Sequence, residues 1–253
     1  MENHVYLQIN SRCNQKCVFC NRPPKDNPDE YTKDIAIEKI KQRVKQLVER
    51  GNKRIILTGG EPTLRNDLAE IIKFCKSVGV EIVEMQTNGI LFFNEELVKK
   101  LKRAGLDFAY IAFHAHNKKL YDKMARTNSF FDEKIKGIEN CIKNGLKVSI
   151  IHVINELNYK YIKEFVKFMN NKFPEISYYN LSFVVPEGHA WLNKWCVPKY
   201  SSVKPYLRRA MQYCKENKIK FDVSEIVPLC MIEGFEEHAA STKFLFDNIV
   251  IID

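Results

Sequence analysis

A chain of 253 residues with 45% hydrophobic residues can build one large core, and 28% charged residues is ordinary for a globular domain. No run of about eighteen apolar residues occurs, which excludes a transmembrane helix, and the N-terminus lacks the basic-then-apolar build of a signal peptide. A cytoplasmic protein without a membrane partner is therefore expected. The formal net charge of +9 leaves nucleic acid open as a partner, but the lysines are scattered along helices, which points to solvated helix faces. Eight cysteines in a reducing compartment point to metal ligands or buried thiols rather than disulfides.

The first element is a strand-like run at residues 5–9, followed at once by Cys13, Cys17 and Cys20 in a C-x3-C-x2-C spacing. After a proline-rich loop comes a predicted helix over 33–50. Thr32 is its candidate N-cap, Ile37, Ile40, Val44, Leu47 and Val48 share one face, and Gly51 closes it. A short apolar strand at 54–58 runs into Gly59-Gly60-Glu61-Pro62-Thr63. Helix 66–77 follows, then a strand over 81–86 that ends in Thr87-Asn88-Gly89. Asn94 caps the next helix, and a strand at 108–113 ends at His114-Ala115-His116. Ser129 is the expected cap of a helix that Gly145 terminates, the strand 146–154 closes on Asn155, and Asn158 caps another helix. The sixth strand covers 176–185.

Six strands alternating with helices over 1–190 argue an α/β fold of parallel strands joined by right-handed crossovers. Six units fall short of the eight of a closed barrel, so an open, partial TIM-like barrel is expected. The polar and glycine-bearing stretches recur at the C-terminal strand ends, the edge where parallel α/β folds bind ligands. Beyond residue 190 the rhythm changes. A helix near 201–217 and strands near 221–227 and 244–252 read as a C-terminal appendage, giving a core of 1–190 and an extension of 191–253.

The cysteine loop decides the chemistry. A closed zinc site or an ordinary iron–sulfur cluster takes four protein ligands, whereas three leave a metal position free for chemistry. A zinc knuckle would need a fourth ligand, and no second C-x2-C pair or H-x3-H follows; redox thiols are the other alternative.

With an aromatic residue, Phe19, just before its last cysteine, and Gly59-Gly60-Glu61-Pro62 after the second strand, the chain resembles the radical S-adenosylmethionine (radical SAM) enzymes over residues 1–190. The family's fold is a partial (β/α)6 barrel, in agreement with the strand count. The resemblance implies a 4Fe–4S cluster held by Cys13, Cys17 and Cys20, with S-adenosylmethionine chelated to the fourth iron. It implies that Phe19 lies against cluster or adenine, and that Gly59, Gly60 and Glu61 meet the methionine amino group. Adjacent glycines expose backbone carbonyls to a donor, and a carboxylate favours an ammonium. Gln86, Thr87 and Asn88 fall where relatives place polar side chains on ribose or carboxylate, Arg126 where relatives pair the cofactor carboxylate, and Asn155 at a frequent asparagine. Ala112 and His114 replace the serine and aspartate of many relatives, which makes His114 a candidate contact to cofactor or substrate.

Such an enzyme takes one electron from an external donor such as flavodoxin or ferredoxin. It cleaves the cofactor to a 5′-deoxyadenosyl radical and abstracts a hydrogen atom. The segment Pro186-Glu187-Gly188-His189 and the extension resemble the SPASM/twitch branch with its peptide maturases and the molybdenum-cofactor cyclase. A peptide or natural-product precursor is the expected substrate, with tRNA or a nucleoside second; a non-catalytic iron–sulfur carrier or regulator is the reading from another class. Cys196 and Cys230, or residues past Asp253, are the candidates for an auxiliary cluster, although no run of closely spaced cysteines occurs in 191–253.

Overall fold

The computed structural model describes residues 4–22, 34–127, 130–224, 227–240 and 249–250. The strands are β1 (His4–Gln8), β2 (Arg54–Thr58), β3 (Ile82–Thr87), β4 (Phe108–Ala112), β5 (Lys147–Ile154), β6 (Tyr178–Phe183), β7 (Phe221–Ser224) and β8 (Ile249–Val250). The helices are α1 (Ile37–Glu49), α2 (Leu68–Ser77), α3 (Glu95–Ala104), α4 (Lys118–Ala125), α5 (Phe131–Lys143), α6 (Ile162–Lys172), α7 (Gly188–Leu192) and α8 (Tyr200–Glu216).

Every strand pair is parallel, and the sheet order is β7-β6-β5-β4-β3-β2-β1-β8. A partial α/β barrel is therefore observed, with a wider sheet than six strands. The added strands, β7 and β8, come from the stretch expected to be an appendage and flank β6 and β1. The alternation of side chains explains both faces. Leu7, Leu57, Met85, Ile111 and Ile150 are fully buried and point toward the helices. The opposite face carries Tyr6, Gln86, Tyr110, Ser149, Tyr178, Asn180 and Asp222. Tyr110 on β4 interacts electrostatically with both Tyr6 on β1 and Asp222 on β7. Those strands lie three places to either side, about 14 Å in a flat sheet. The sheet is curled, and this polar face is its concave side.

Ile40, Val44 and Leu47 of α1 are buried, as the helical period requires. Asn94 caps α3 by accepting from the Glu96 amide, and Gly105 ends it at φ 106°. Cys75, Cys141 and Cys214 are buried packing residues. Thr32, Ser129 and most of the strand expected at 244–252 lie outside the described residues. Among the described residues no helix is long and apolar enough to cross a membrane.

Candidate active site

The cysteine loop leaves β1 at the C-terminal rim of the sheet, and backbone bonds fix it on two sides. Toward β2, Gly60 donates to the Asn10 carbonyl at 3.1 Å and Glu61 to the Arg12 carbonyl at 2.6 Å, while Asn10 Nδ2 donates to the Glu61 carbonyl at 2.8 Å. Toward α4, Lys16 donates to the Ala125 carbonyl at 3.2 Å and Val18 to the Met124 carbonyl at 3.0 Å. Cys17 to Cys20 form a tight turn, with Cys20 N–H on the Cys17 carbonyl at 3.2 Å. The Cys20 carbonyl accepts from His189 at 2.8 Å, so α7 clamps the far end of the loop.

Gly59 and Gly60 owe their identity to this approach. A Cβ on Gly59 would stand 2.0 Å from Asn10 Oδ1, and one on Gly60 1.8 Å from the Arg12 carbonyl oxygen. Only hydrogen fits there. Among the described residues no hydrogen bond ends on either glycine's own carbonyl oxygen.

Glu61 is bonded within the fold. Its side chain is fully buried. Oε1 accepts from Thr63 N at 3.0 Å, Thr63 Oγ1 at 2.6 Å and Thr87 Oγ1 at 2.6 Å, and Oε2 accepts from Asn88 N at 2.7 Å. Both oxygens tie the end of β2 to the end of β3. Thr87 is committed with it, since its hydroxyl also accepts from Gly89 N at 3.0 Å. Asn155 belongs to the same class. Its Nδ2 donates to the Val153 carbonyl at 3.1 Å and its Oδ1 accepts from Leu157 N at 2.9 Å, which makes it a fully buried turn cap.

The remaining candidates gather at the loop. Asn88 Nδ2 donates to Asn14 Oδ1 at 2.7 Å and lies 4.0 Å from Cys13 Sγ. Phe19 packs edge-on against His114, with ring centroids 4.9 Å apart. His114 Nδ1 accepts from Val153 N at 3.0 Å, and burial drives its pKa well below the ordinary value. The ring is neutral, with its proton on Nε2. Arg126 caps α4 in the left-handed region at φ 49° and donates to Asn193 Oδ1 at 3.2 Å. Asn193 in turn holds the Val18 carbonyl at 3.0 Å, so Arg126 borders the loop.

Sequence reasoning missed Gln15, Tyr121 and Lys134, which line a small enclosed cavity with Cys17, Phe19 and His114. Gln15 Nε2 donates to Tyr121 Oη at 2.5 Å. Lys134 carried a readable signal: it falls on the apolar stripe of α5, with Phe131, Ile138 and Cys141.

All three loop cysteines are free thiols, and among the described residues no three His, Cys, Asp or Glu side chains are arranged to hold a metal ion. Desolvation pushes the half-buried Cys17 up to about 12, which makes it a poor nucleophile at neutral pH, whereas Cys13 is exposed. A bound metal displaces the thiol proton outright. Three soft sulfur donors on one short loop, Cys13 exposed and Cys17 and Cys20 half-buried, have the ligand chemistry of an iron–sulfur cluster with a free iron.

A family model described as the radical SAM superfamily matches residues 7–169. The chain belongs to the radical SAM superfamily. Members of that superfamily bind a 4Fe–4S cluster and S-adenosylmethionine. The radical SAM chain is 32% identical over 180 residues to the Fe-coproporphyrin III synthase of Methanosarcina barkeri, covering 71% of this chain and 44% of that protein. It is 36% identical over 166 residues to a probable GTP 3′,8-cyclase of Saccharolobus solfataricus, covering 65% and 52%. It spans about half the length of the curated relatives it matches. Its fold is similar to that of Streptococcus suis SuiB bound to S-adenosylmethionine, with a TM-score of 0.71 at 16% identity over 88% of this chain and 50% of that one.

Proposed function

We propose that this domain is a radical SAM enzyme in which Cys13, Cys17 and Cys20 hold the cluster at the C-terminal rim of the curled sheet. When bound, the cluster and S-adenosylmethionine supply a 5′-deoxyadenosyl radical after one-electron reduction by an external donor such as flavodoxin or ferredoxin. The observation that carries this reading is the stitching of the cysteine loop to the Gly59–Glu61 turn and to Asn88. The turn offers the free carbonyls of Gly59 and Gly60 to the cofactor's amino group, and Asn88 offers a polar side chain beside Cys13. Glu61 and Thr87 act one step back, holding that turn rigid. Neutral His114 keeps an Nε2 proton to donate, and with Phe19 it walls off water behind the loop.

The substrate sits on the concave face. That face carries hydroxyls and amides from Tyr6, Tyr110, Tyr178, Asn180 and Ser224, and Asp222, to which no salt bridge is made among the described residues. Burial raises the pKa of Asp222, while hydrogen bonds from Tyr178 and Asn180 oppose the shift. A surface of this kind favours a substrate rich in hydrogen-bonding groups and disfavours a polyanion at its floor, which supports a peptide or peptide-derived precursor over a nucleotide. Streptococcus suis SuiB bound to its precursor peptide SuiA has a similar fold. The test is anaerobic reconstitution followed by reduction with dithionite. Methionine and 5′-deoxyadenosine should form in the wild type and not in Cys17→Ala. A wild type that holds a 4Fe–4S cluster and forms neither product overturns catalysis and favours a carrier or regulator.

A further inference from the structure

Lys134 is 1% exposed on α5. Its Nζ donates to the Ala112 carbonyl at 2.6 Å and lies 5.2 Å from the ring centres of both Phe113 and Tyr121. Among the described residues this is its only hydrogen bond, and no carboxylate forms a salt bridge with it. An ammonium has three donors, and burying one without a counter-charge is costly. Aromatic faces compensate only in part. The groups that face it are Cys17, which lines the same enclosed cavity, with His114, Gln15, Phe19 and Tyr121. Cys13 and Glu61 act on it electrostatically, and Glu61 already receives four hydrogen bonds. No carboxylate pairs directly with this ammonium among the described residues, Glu61 acting on it only at a distance, and Cys17 of the cysteine loop lines the same cavity.

We propose that Lys134 is the buried counter-charge of the cluster held by Cys17 and its neighbours, a positioning residue that raises the cluster's reduction potential. The inference rests on the ligand assignment above. Cluster thiolates supply the nearby negative charge that Lys134 lacks as a direct partner. Adding one electron, taken from an external donor with no bond or proton changing partner, increases that negative charge, so a fixed cation stabilises the reduced cluster more than the oxidised one.

The experiment is an EPR-monitored redox titration of reconstituted wild type, Lys134→Met, Lys134→Gln and Lys134→Arg. Lys134→Gln can still donate to the Ala112 carbonyl without the charge. Both neutral variants should titrate at a more negative midpoint than wild type, and Lys134→Arg should return toward it. Loss of iron from both neutral variants with retention in Lys134→Arg is the same result in a larger form. A Lys134→Gln midpoint equal to wild type overturns the inference and assigns the hydrogen bond alone; loss of iron from all three variants also overturns it. A wild type that holds no 4Fe–4S cluster instead overturns the ligand assignment, which separates the two failures. In the metal-free protein, Lys134→Met should raise the melting temperature, because it removes a desolvated charge that the cluster is not there to balance. A lowered metal-free melting temperature with unchanged midpoints makes Lys134 purely structural.

Discussion

Replacing Glu61 by alanine separates a ligand contact from a structural tie. The carboxylate accepts from two backbone N–H groups, of Thr63 and Asn88, and from two hydroxyls, of Thr63 and Thr87. Both hydroxyls can rotate toward other acceptors, whereas the two N–H groups cannot. A buried donor left without a partner costs about 1–3 kcal/mol, so two of them cost about 4 kcal/mol at mid-range. For a domain of this size each kcal/mol lowers the melting temperature by about 2–4 °C, which predicts a fall of about 8–16 °C. Glu61→Gln keeps the volume and one acceptor oxygen but turns an NH2 toward donors, and should lose about half as much. The assay is thermal denaturation of the metal-free protein followed by circular dichroism, where no cofactor contributes. Were Glu61 chiefly a ligand contact, Glu61→Ala would melt with wild type and lose only cofactor affinity. An unchanged metal-free melting temperature therefore refutes the structural tie.

Gly60→Ala places a methyl group against the Arg12 carbonyl, 1.8 Å away before relaxation. It should prevent the loop from seating and reduce bound iron after reconstitution to a small fraction of wild type, as measured by metal analysis. Asn155→Ala strands the Leu157 amide and should cost about 1–2 kcal/mol in denaturant unfolding, while leaving the dissociation constant for S-adenosylmethionine unchanged in equilibrium dialysis. His152 is fully buried, and burial lowers its pKa from the ordinary 6.5 to about 3. The folded state keeps this ring neutral, whereas the unfolded chain protonates it below about 6.5. Stability is thus present above about pH 6.5 and lost as the pH falls toward 3, with a slope of up to about 1.4 kcal/mol per pH unit for one proton. His152→Phe should flatten that slope in metal-free urea titrations between pH 7 and 5; an unaltered slope would exclude His152 as its source.

The fold was legible where periodicity is strong. Apolar runs such as 54–58 and helix stripes such as Ile40, Val44 and Leu47 are set by local burial. The two outer strands were harder, because β7 and β8 follow a long departure from the βα rhythm and pair with β6 and β1 through contacts distant in sequence. In the site, the meeting of the cysteines, the glycine pair and Asn88 at one rim was readable from residue type and spacing. The roles of Glu61, Thr87 and Asn155 were not, since an acceptor aimed inward and one aimed at a ligand look the same in a sequence. Lys134 could have been found from a charge on an apolar stripe, but its partner across the fold could not.

The central claim is that Cys13, Cys17 and Cys20 present one open iron to S-adenosylmethionine. The direct test is the EPR spectrum of the reduced, reconstituted protein with and without S-adenosylmethionine. A one-electron-reduced 4Fe–4S signal is expected that changes shape when the cofactor is added and is absent from the Cys13→Ala, Cys17→Ala and Cys20→Ala variants. A wild-type cluster signal indifferent to the cofactor, or one that survives loss of these cysteines, would contradict it.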